Sequence, residues 1–214
     1  MTEDEARAWL AARHVPRETM EALERFVAFL LDESSRQNLI SASTQETVWS
    51  RHIVDSAQLL DLARDAPAGP WLDLGSGAGF PGLVIAALTD RPVVLVESRR
   101  KRVEFLTAAA EVLGVADRVR VEGRRLELVE DFPAAVISAR AFAPLDRLLP
   151  LAARFSRSGT VWLLPKGRSA QSELAAVRQT WQGVFHVEHS VTDPEAAIII
   201  ARGVAARGIR RGQK

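Results

Sequence analysis

Apolar positions follow two different patterns along this chain, and the pattern changes near residue 67. Beyond that point, short apolar runs with the length of buried strands are separated by longer segments with helical spacing. The runs predict strands at residues 71–74, 93–96, 119–121, 135–137 and 161–164. The intervening segments predict helices at residues 81–88, 99–113, 145–155 and 169–181. Regular alternation of this kind predicts an α/β fold with a doubly wound, mostly parallel sheet.

The first 66 residues have a helical pattern instead. Thr2 and Glu5 have the spacing of a capping box, and apolar residues then recur at helical intervals up to the break at residues 67–70. The periodic positions include Ala6, Trp9, Leu10, Met20, Leu23, Phe26, Val27, Leu30, Leu31, Val48, Ile53, Ala57, Leu59 and Leu60. We therefore predict an N-terminal helical extension, residues 1–66, packed on an α/β domain of residues 67–203.

Two further apolar runs, residues 184–187 and 196–201, close this domain with no room for a helix between them. They predict an antiparallel hairpin at one edge of the sheet, which brings the total to seven strands. Residues 204–214 contain no acidic residue and predict a basic, flexible tail.

The charge is uneven although the formal net charge is only +1. One basic cluster covers residues 99–102, and the C-terminal end carries Arg202, Arg207, Arg210, Arg211 and Lys214. Two interpretations of this distribution are equally good. The basic residues could bind a polyanionic partner, or the first cluster could be the solvated start of a helix and the C-terminal end a disordered tail. The acidic N-terminus and the lack of a long apolar stretch predict a cytoplasmic protein.

A glycine-rich turn joins the first predicted strand to the next helix, and it is the most informative stretch of the chain. It contains Asp73 followed by Gly75, Gly77, Gly79 and Gly82. Glycines let a backbone turn sharply and approach a ligand closely, and nucleotides bind at this edge of open α/β sheets. Glu97, at the end of the second strand, suits ribose hydroxyls. The turn is therefore a candidate nucleotide site.

Two nucleotide cofactors fit this pattern. Gly77, Gly79 and Gly82 match the G-x-G-x-x-G of dinucleotide sites. Asp73, two residues before the first glycine, favours S-adenosylmethionine, because a carboxylate suits the cationic methionine end. We therefore predict a Rossmann-like fold of the class I S-adenosylmethionine-dependent methyltransferases, of which the terminal hairpin is also typical.

The composition then limits the methyl acceptor. The chain has no cysteine, so it cannot form the cysteine adduct usual in C5 methylation of pyrimidines. It also has no Pro-Pro pair, which disfavours methylation of exocyclic amines. Guanine N7 carries an in-plane lone pair and needs no general base, so positioning alone suffices.

Several linked motifs between about residues 26 and 203 resemble the RsmG (GidB) family. They are Asn38-Leu39-Ile40-Ser41, Arg51-His52-Ile53-Val54-Asp55-Ser56, the glycine turn with Phe80-Pro81-Gly82, Lys101-Arg102-Val103-Glu104-Phe105-Leu106, Ser138-Ala139-Arg140-Ala141-Phe142-Ala143 and Pro165-Lys166-Gly167. The resemblance implies a 16S rRNA guanine-N7 methyltransferase acting on the 530 loop, position 527 in the usual rRNA numbering. The implied partner is 16S rRNA or the 30S subunit. Separately, the sequence suggests no large apolar patch, so we expect a monomer.

The resemblance also implies roles for individual residues. It places cofactor contacts at Gly75, Phe80, Glu97 and Arg140, with Leu126 and Glu127 beside the adenine, and the glycine-turn pattern adds Asp73, Gly77 and Gly79. The resemblance places Arg125 and Lys166 towards the RNA, with Arg140 and Lys166 acting at the reacting base, and the basic C-terminal end adds Arg202 as an RNA contact. We expect no metal.

Alternatives remain open at several of these positions. Arg140 could instead pair with an acid such as Asp146, and Lys166 could be a solvated turn residue. His52 is either catalytic or a packed residue that orients its neighbours. Asp55 could cap a helix, pair with Arg51, or face the methionine end of the cofactor.

Two other functions also remain open for the whole chain. It could be a small-molecule methyltransferase or an NAD-dependent enzyme, or it could bind a cofactor without catalysis.

Overall fold

The computed structural model describes residues 1–208, and in that range seven strands form a single sheet. The strands are β1 Trp71–Leu74, β2 Val93–Val96, β3 Val119–Glu122, β4 Val136–Ala139, β5 Val161–Lys166, β6 Trp181–His189 and β7 Ala197–Ala206. Their order in the sheet is β3-β2-β1-β4-β5-β7-β6. Strands β1 to β5 pair in parallel, whereas β7 is antiparallel to both β5 and β6. The predicted parallel sheet with a C-terminal hairpin is therefore confirmed.

Helices flank this sheet and also form most of the N-terminal region. They are α1 Glu3–Ala11, α2 Arg17–Ser34, α3 Asp55–Ala57, α4 Leu59–Leu62, α5 Gly82–Leu88, α6 Arg100–Leu113, α7 Leu145–Ala152 and α8 Ala170–Val177. The predicted capping box is present at α1, where Thr2 and Glu5 exchange side-chain and backbone hydrogen bonds. A π-helical segment, Trp49–Val54, leads directly into α3. Such segments are rare and often occur at functional sites.

The sheet separates two apolar layers because successive strand residues point to opposite faces. On one face, Trp71 packs with α1, α2, α5 and α6; on the other, Leu72 and Leu74 pack with α7 and α8. The N-terminal helices thus share a core with the α/β part. The exact division into a 1–66 extension and a 67–203 domain stays a prediction.

Several predicted boundaries are wrong, and three of them matter for the sheet. The helix expected at residues 169–181 ends at Val177, and Trp181 begins β6, where it pairs with Ala206. Strand β4 continues past residue 137 because Ser138, although polar, is fully buried and hydrogen-bonded. Strand β7 runs to Ala206, so residues 204–206 belong to the sheet and not to a tail. Residues 209–214, with Arg210, Arg211 and Lys214, lie outside the described range.

The strand order creates a crevice at the carboxyl edge of the sheet. The chain passes from β1 through α5 to β2 on one side, whereas β4 lies on the other side of β1. Loops that leave in opposite directions open a space between them, and ligands of α/β proteins bind there. Across residues 1–208, no helix combines the length and the apolar character needed to cross a membrane.

Candidate functional site

Two neighbouring cavities lie at this carboxyl edge. The first, called the β2 cavity, has a volume of about 380 Å³ and is lined by Gly75, Glu97 and the loop after β3. The second, called the β5 cavity, has a volume of about 540 Å³ and is lined by Arg140, Lys166 and the N-terminal region. Ala141 and Phe142 line both cavities. The site therefore has two compartments that meet at the loop after β4.

A third cavity, of about 510 Å³, lies around Trp9 and Arg13 near the C-terminal end of α5. It is at the opposite edge of the sheet and contains none of the predicted site residues. This position separates it from the groups that could bind a nucleotide at the glycine turn.

Asp73 is fully buried beneath the glycine turn. Its Oδ1 accepts a hydrogen bond from Ser138 Oγ at 2.7 Å, and its Oδ2 accepts one from the Gly82 amide at 3.3 Å. Ser138 Oγ in turn accepts a bond from Trp71 Nε1 at 2.8 Å. Burial raises the pKa of Asp73 above its usual value, although these donors oppose the shift. Asp73 therefore holds the turn from below and does not line either cavity, in contrast to the direct ligand contact predicted from the sequence.

The three predicted glycines have different roles. Gly75, at φ +66°, lines the β2 cavity, and a Cβ on it would overlap the Phe142 ring. The Gly77 amide donates to Glu97 Oε2 at 3.2 Å, while Gly79 packs so closely on Leu83 that a Cβ would overlap it. All three have a positive φ, which explains the choice of glycine. Gly75 is the one that lines the β2 cavity.

Glu97 lies at the end of β2 and is almost completely buried. Its Oε1 accepts from the Arg99 amide at 2.9 Å, and Arg102 lies 3.8 Å from Oε2. A carboxylate offers about four acceptor positions, so the two amides leave capacity for a ligand hydroxyl. The structure thus brings Glu97 to the β2 cavity as predicted.

The far wall of the β2 cavity is formed by the loop after β3. Leu126 is buried there, whereas Arg124, Arg125 and Glu127 are exposed. The predicted adenine neighbours Leu126 and Glu127 are therefore placed together with Glu97. Arg125, predicted to contact RNA, lies at the mouth of this cavity and not in the β5 cavity.

Phe80 does not line either cavity, although it was predicted to contact the cofactor. Its buried ring stacks on His52, with centroids 4.8 Å apart, and the Arg140 guanidinium lies 5.3 Å from its centroid. Phe80 therefore supports residues of the β5 cavity from beneath.

Arg140 enters the β5 cavity from the end of β4. It donates to His52 Nδ1 at 2.9 Å, to the Arg51 carbonyl at 3.3 Å and to Asp55 Oδ2 at 3.4 Å. A guanidinium has five N–H groups, so these three bonds leave two for a ligand. Its acidic partner is Asp55 and not Asp146. Arg140 lines the β5 cavity but not the β2 cavity, so it does not reach the cavity lined by Gly75 and Glu97.

Asp55 joins three parts of the chain. Besides Arg140, its carboxylate accepts from Gln58, Ser190 and Thr192. Arg51 pairs with Asp193 at 2.7 Å, so the alternative Arg51–Asp55 pair does not form. The network ties the N-terminal region to the loop between β6 and β7.

Lys166 is not a solvated turn residue, since only 9% of its side chain is exposed. Its ammonium lies 2.8 Å from Glu173 Oε2 and donates to the Ala143 carbonyl at 2.8 Å. Glu173 also accepts from the Leu145 amide at 2.8 Å. The ion pair therefore braces the loop that separates the two cavities, and one N–H of Lys166 remains for a ligand.

Arg202, predicted to face the RNA, lines neither cavity. It pairs with Val161, the first residue of β5, whereas Lys166 at the other end of β5 lines the cavity. Five residues of strand separate the two positions, or about 17 Å.

Several residues that complete the site carry no signal in the sequence. Thr44, Glu173, Ser190 and Thr192 lie in segments without a recognised motif, and only the three-dimensional structure assembles them. Ser138 and Phe142 lie inside a recognised motif, but nothing in the sequence shows their roles. Across residues 1–208 no group of three or more potential metal ligands occurs.

Comparison with known proteins agrees with this architecture. The model of the family described as rRNA small subunit methyltransferase G matches residues 19–202. A ribosomal RNA small subunit methyltransferase G from Rhizorhabdus wittichii is 63% identical over 215 residues, covering 100% of this chain and 98% of that protein. The protein of the same name from Zymomonas mobilis is 51% identical, with 100% of both chains covered.

Solved structures show the same fold at low sequence identity. An O-methyltransferase from Bacillus cereus in complex with S-adenosylhomocysteine has a TM-score of 0.58 and 15% identity, covering 91% of this chain and 96% of that one. MtNAS with bound S-adenosylmethionine has a TM-score of 0.58 and 16% identity, covering 94% and 84%. The fold and the family match together establish that the chain belongs to the rRNA small subunit methyltransferase G family.

Proposed function

We propose that this chain transfers a methyl group from S-adenosylmethionine to N7 of a guanine in 16S ribosomal RNA, within the 530 loop of the small subunit. The observation that carries the proposal is the pair of joined cavities in a member of this family. The β2 cavity would hold the cofactor, and the β5 cavity would hold the guanine.

The residues around the β2 cavity fit S-adenosylmethionine. Gly75 and Phe142 pack against each other in the wall of this cavity, Glu97 has acceptor capacity for ribose hydroxyls, and Leu126 offers an apolar surface for adenine. When bound, the cofactor supplies an electrophilic methyl group on its sulfonium sulfur. The same residues would bind S-adenosylhomocysteine.

The β5 cavity fits an acceptor that needs no deprotonation. Burial, with Arg140 and Arg51 nearby, lowers the pKa of His52 to about 3, and both of its ring nitrogens have hydrogen-bond partners. Asp55 and Glu173 are engaged by several donors each. None of these three residues is therefore free to act as a general base, and guanine N7 requires none.

Arg140 and Lys166 would bind and orient the base. Both line this cavity and have N–H groups left over from their protein hydrogen bonds, which guanine O6 or a phosphate oxygen could accept. Holding N7 in line with the methyl group supplies the rate enhancement through orientation. The exposed arginines at the mouth of the β2 cavity, Arg124 and Arg125 among them, would contact the RNA backbone.

The test is transfer of radiolabelled methyl groups to 30S subunits and to free 16S rRNA, followed by digestion to nucleosides. We expect label in 7-methylguanosine, and at least a tenfold loss of kcat/KM in Arg140→Ala and Lys166→Ala with S-adenosylhomocysteine affinity retained. Label in another nucleoside would refute the N7 assignment. Cofactor binding with no RNA labelling would favour a small-molecule acceptor or a non-catalytic role, and stabilisation by NAD alone would favour a dehydrogenase.

A further inference from the structure

His52 occupies a position between the N-terminal region and the loop after β4. It is 9% exposed and lies on the π-helical segment. Its ring is nearly parallel to the Phe80 ring, with an interplanar angle of 17°. Packing therefore fixes the plane of the imidazole and directs its two nitrogens in opposite directions, one towards Arg140 and one towards Thr44.

The partners determine which nitrogen carries the proton. A guanidinium can only donate, so His52 Nδ1 must be the acceptor in its 2.9 Å contact with Arg140. The proton then lies on Nε2, which donates to Thr44 Oγ1 at 3.1 Å. Thr44 Oγ1 donates onward to the Ser41 carbonyl at 3.0 Å. Each member of this chain of hydrogen bonds has one direction that satisfies it.

The bond to His52 is the shortest that Arg140 makes. Its other two contacts, with Arg51 and Asp55, are 3.3 and 3.4 Å long, and Phe80 limits the guanidinium from one face. The Nδ1 lone pair of His52 is thus the acceptor that sets the orientation of the Arg140 guanidinium. The charged groups that face the imidazole are Arg140 and Arg51, so a proton on Nδ1 would place a third cation beside them.

We propose that His52 is a positioning residue for the methyl transfer: its neutral Nε2–H tautomer, oriented by Thr44 and Phe80, fixes Arg140 for the guanine. This inference rests on the proposed function for its substrate. It assigns no proton transfer to His52. It also gives the N-terminal region a role in catalysis, because Thr44 and His52 both lie before the α/β part.

Three substitutions at position 52 distinguish the contribution of the Nδ1 acceptor from that of the stacked ring. His52→Asn places an oxygen near the position of Nδ1, His52→Gln places its polar end near Nε2, and His52→Phe keeps the stacked ring without an acceptor. With 30S subunits as substrate, we expect His52→Gln and His52→Phe to lose kcat by tenfold to a hundredfold, since small misplacements of a catalytic group cost about that much. His52→Asn should recover most of that loss, and affinity for S-adenosylhomocysteine should change less than about twofold in all three.

A merely structural role would give a different order. If kcat followed the midpoint of thermal unfolding, with His52→Phe most active and His52→Asn no better than His52→Gln, the positioning role would be refuted. Thr44→Val removes the acceptor of the Nε2–H but keeps the Nδ1 acceptor and the stacked ring of His52. It should lower kcat less than His52→Gln does.

A spectroscopic measurement decides the inference without activity. Two-bond ¹H–¹⁵N correlation spectra of the folded wild-type protein near pH 7 report which ring nitrogen is protonated. We expect Nδ1 unprotonated and Nε2 protonated for His52. A proton on Nδ1 would overturn the inference even in an active enzyme. If the protein shows the expected tautomer but methylates no rRNA, the orientation of Arg140 by His52 is supported and the proposed substrate is wrong.

Discussion

Replacing Ser138 with alanine removes one hydroxyl that serves two fully buried groups. Ser138 Oγ accepts from the Trp71 indole and donates to the Asp73 carboxylate, at 2.8 and 2.7 Å. The substitution leaves two buried polar groups, the Trp71 indole N–H and the Asp73 carboxyl, each without a partner, at about 1–3 kcal/mol apiece. We expect the free energy of unfolding of Ser138→Ala to fall by about 3 kcal/mol or more.

A second tryptophan–serine pair supplies the control. Trp162 Nε1 donates to Ser156 Oγ at 3.1 Å, but this bond is only partly buried and does not continue to a carboxylate. Ser156→Ala should therefore cost about 1 kcal/mol. For a domain of this size the midpoint of thermal unfolding falls by about 2–4 °C per kcal/mol, which predicts losses of about 6–12 °C and 2–4 °C respectively.

Urea unfolding followed by tryptophan fluorescence measures both free energies. Equal losses in the two variants, or a loss below about 1 kcal/mol for Ser138→Ala, would refute the view that Asp73 depends on Ser138. S-adenosylhomocysteine affinity should also fall in Ser138→Ala, because Asp73 holds the glycine turn through the Gly82 amide.

Three further predictions concern pH and the β2 cavity. His52 has a folded pKa of about 3, below the unfolded value of about 6.5, so the unfolded state binds more protons and stability falls as the pH drops from about 6.5 towards 3. Urea unfolding should show that the wild type loses about 2 kcal/mol more than His52→Gln between pH 7.5 and 5, and parallel curves would contradict this. Gly75→Ala and Gly114→Ala both place alanine at a similar positive φ, +66° and +70°, but only the first meets another side chain, Phe142. Calorimetry should show at least a tenfold loss of S-adenosylhomocysteine affinity for Gly75→Ala and little change for Gly114→Ala; similar affinities would rule out the Phe142 overlap as the cause. Glu97→Gln should weaken the same binding at least tenfold, because it removes the carboxylate that accepts from Gly77 and Arg99, whereas the exposed Glu104→Gln should not.

Regular apolar patterning made most of the fold predictable. Buried runs such as residues 71–74 and 93–96 coincide with β1 and β2, because parallel strands covered on both faces are mostly apolar, with Asp73 the exception in β1. The pattern was wrong at Ser138 and Trp181. Ser138 is a polar residue stabilised in the core by Asp73 and Trp71, and the position of Trp181 is decided by its pairing with β7.

The candidate site was predictable only in part, for a similar reason. Glu97 and Gly75 follow a local spacing, and the structure brings both to the β2 cavity. The partners of Arg140 and Lys166 could not be located in this way. Asp55, the partner of Arg140, lies 85 residues away along the chain, and Glu173, the partner of Lys166, lies in no recognised motif. The spacing of Asp73 before the glycine turn predicted a contact with the cofactor. In the structure its buried carboxylate instead accepts hydrogen bonds beneath the turn, from Ser138 and the Gly82 amide.

Chemical cleavage at 7-methylguanosine tests the central claim most directly. Small-subunit rRNA would be isolated from bacteria that lack their own family member, with and without a plasmid encoding this chain, then treated with borohydride and aniline and mapped by primer extension. We predict a cleavage in the 530 loop that appears only with the wild-type chain and is strongly reduced with Arg140→Ala. Uncleaved rRNA in cells that contain the folded wild-type protein, or cleavage confined to another region, would contradict the assignment.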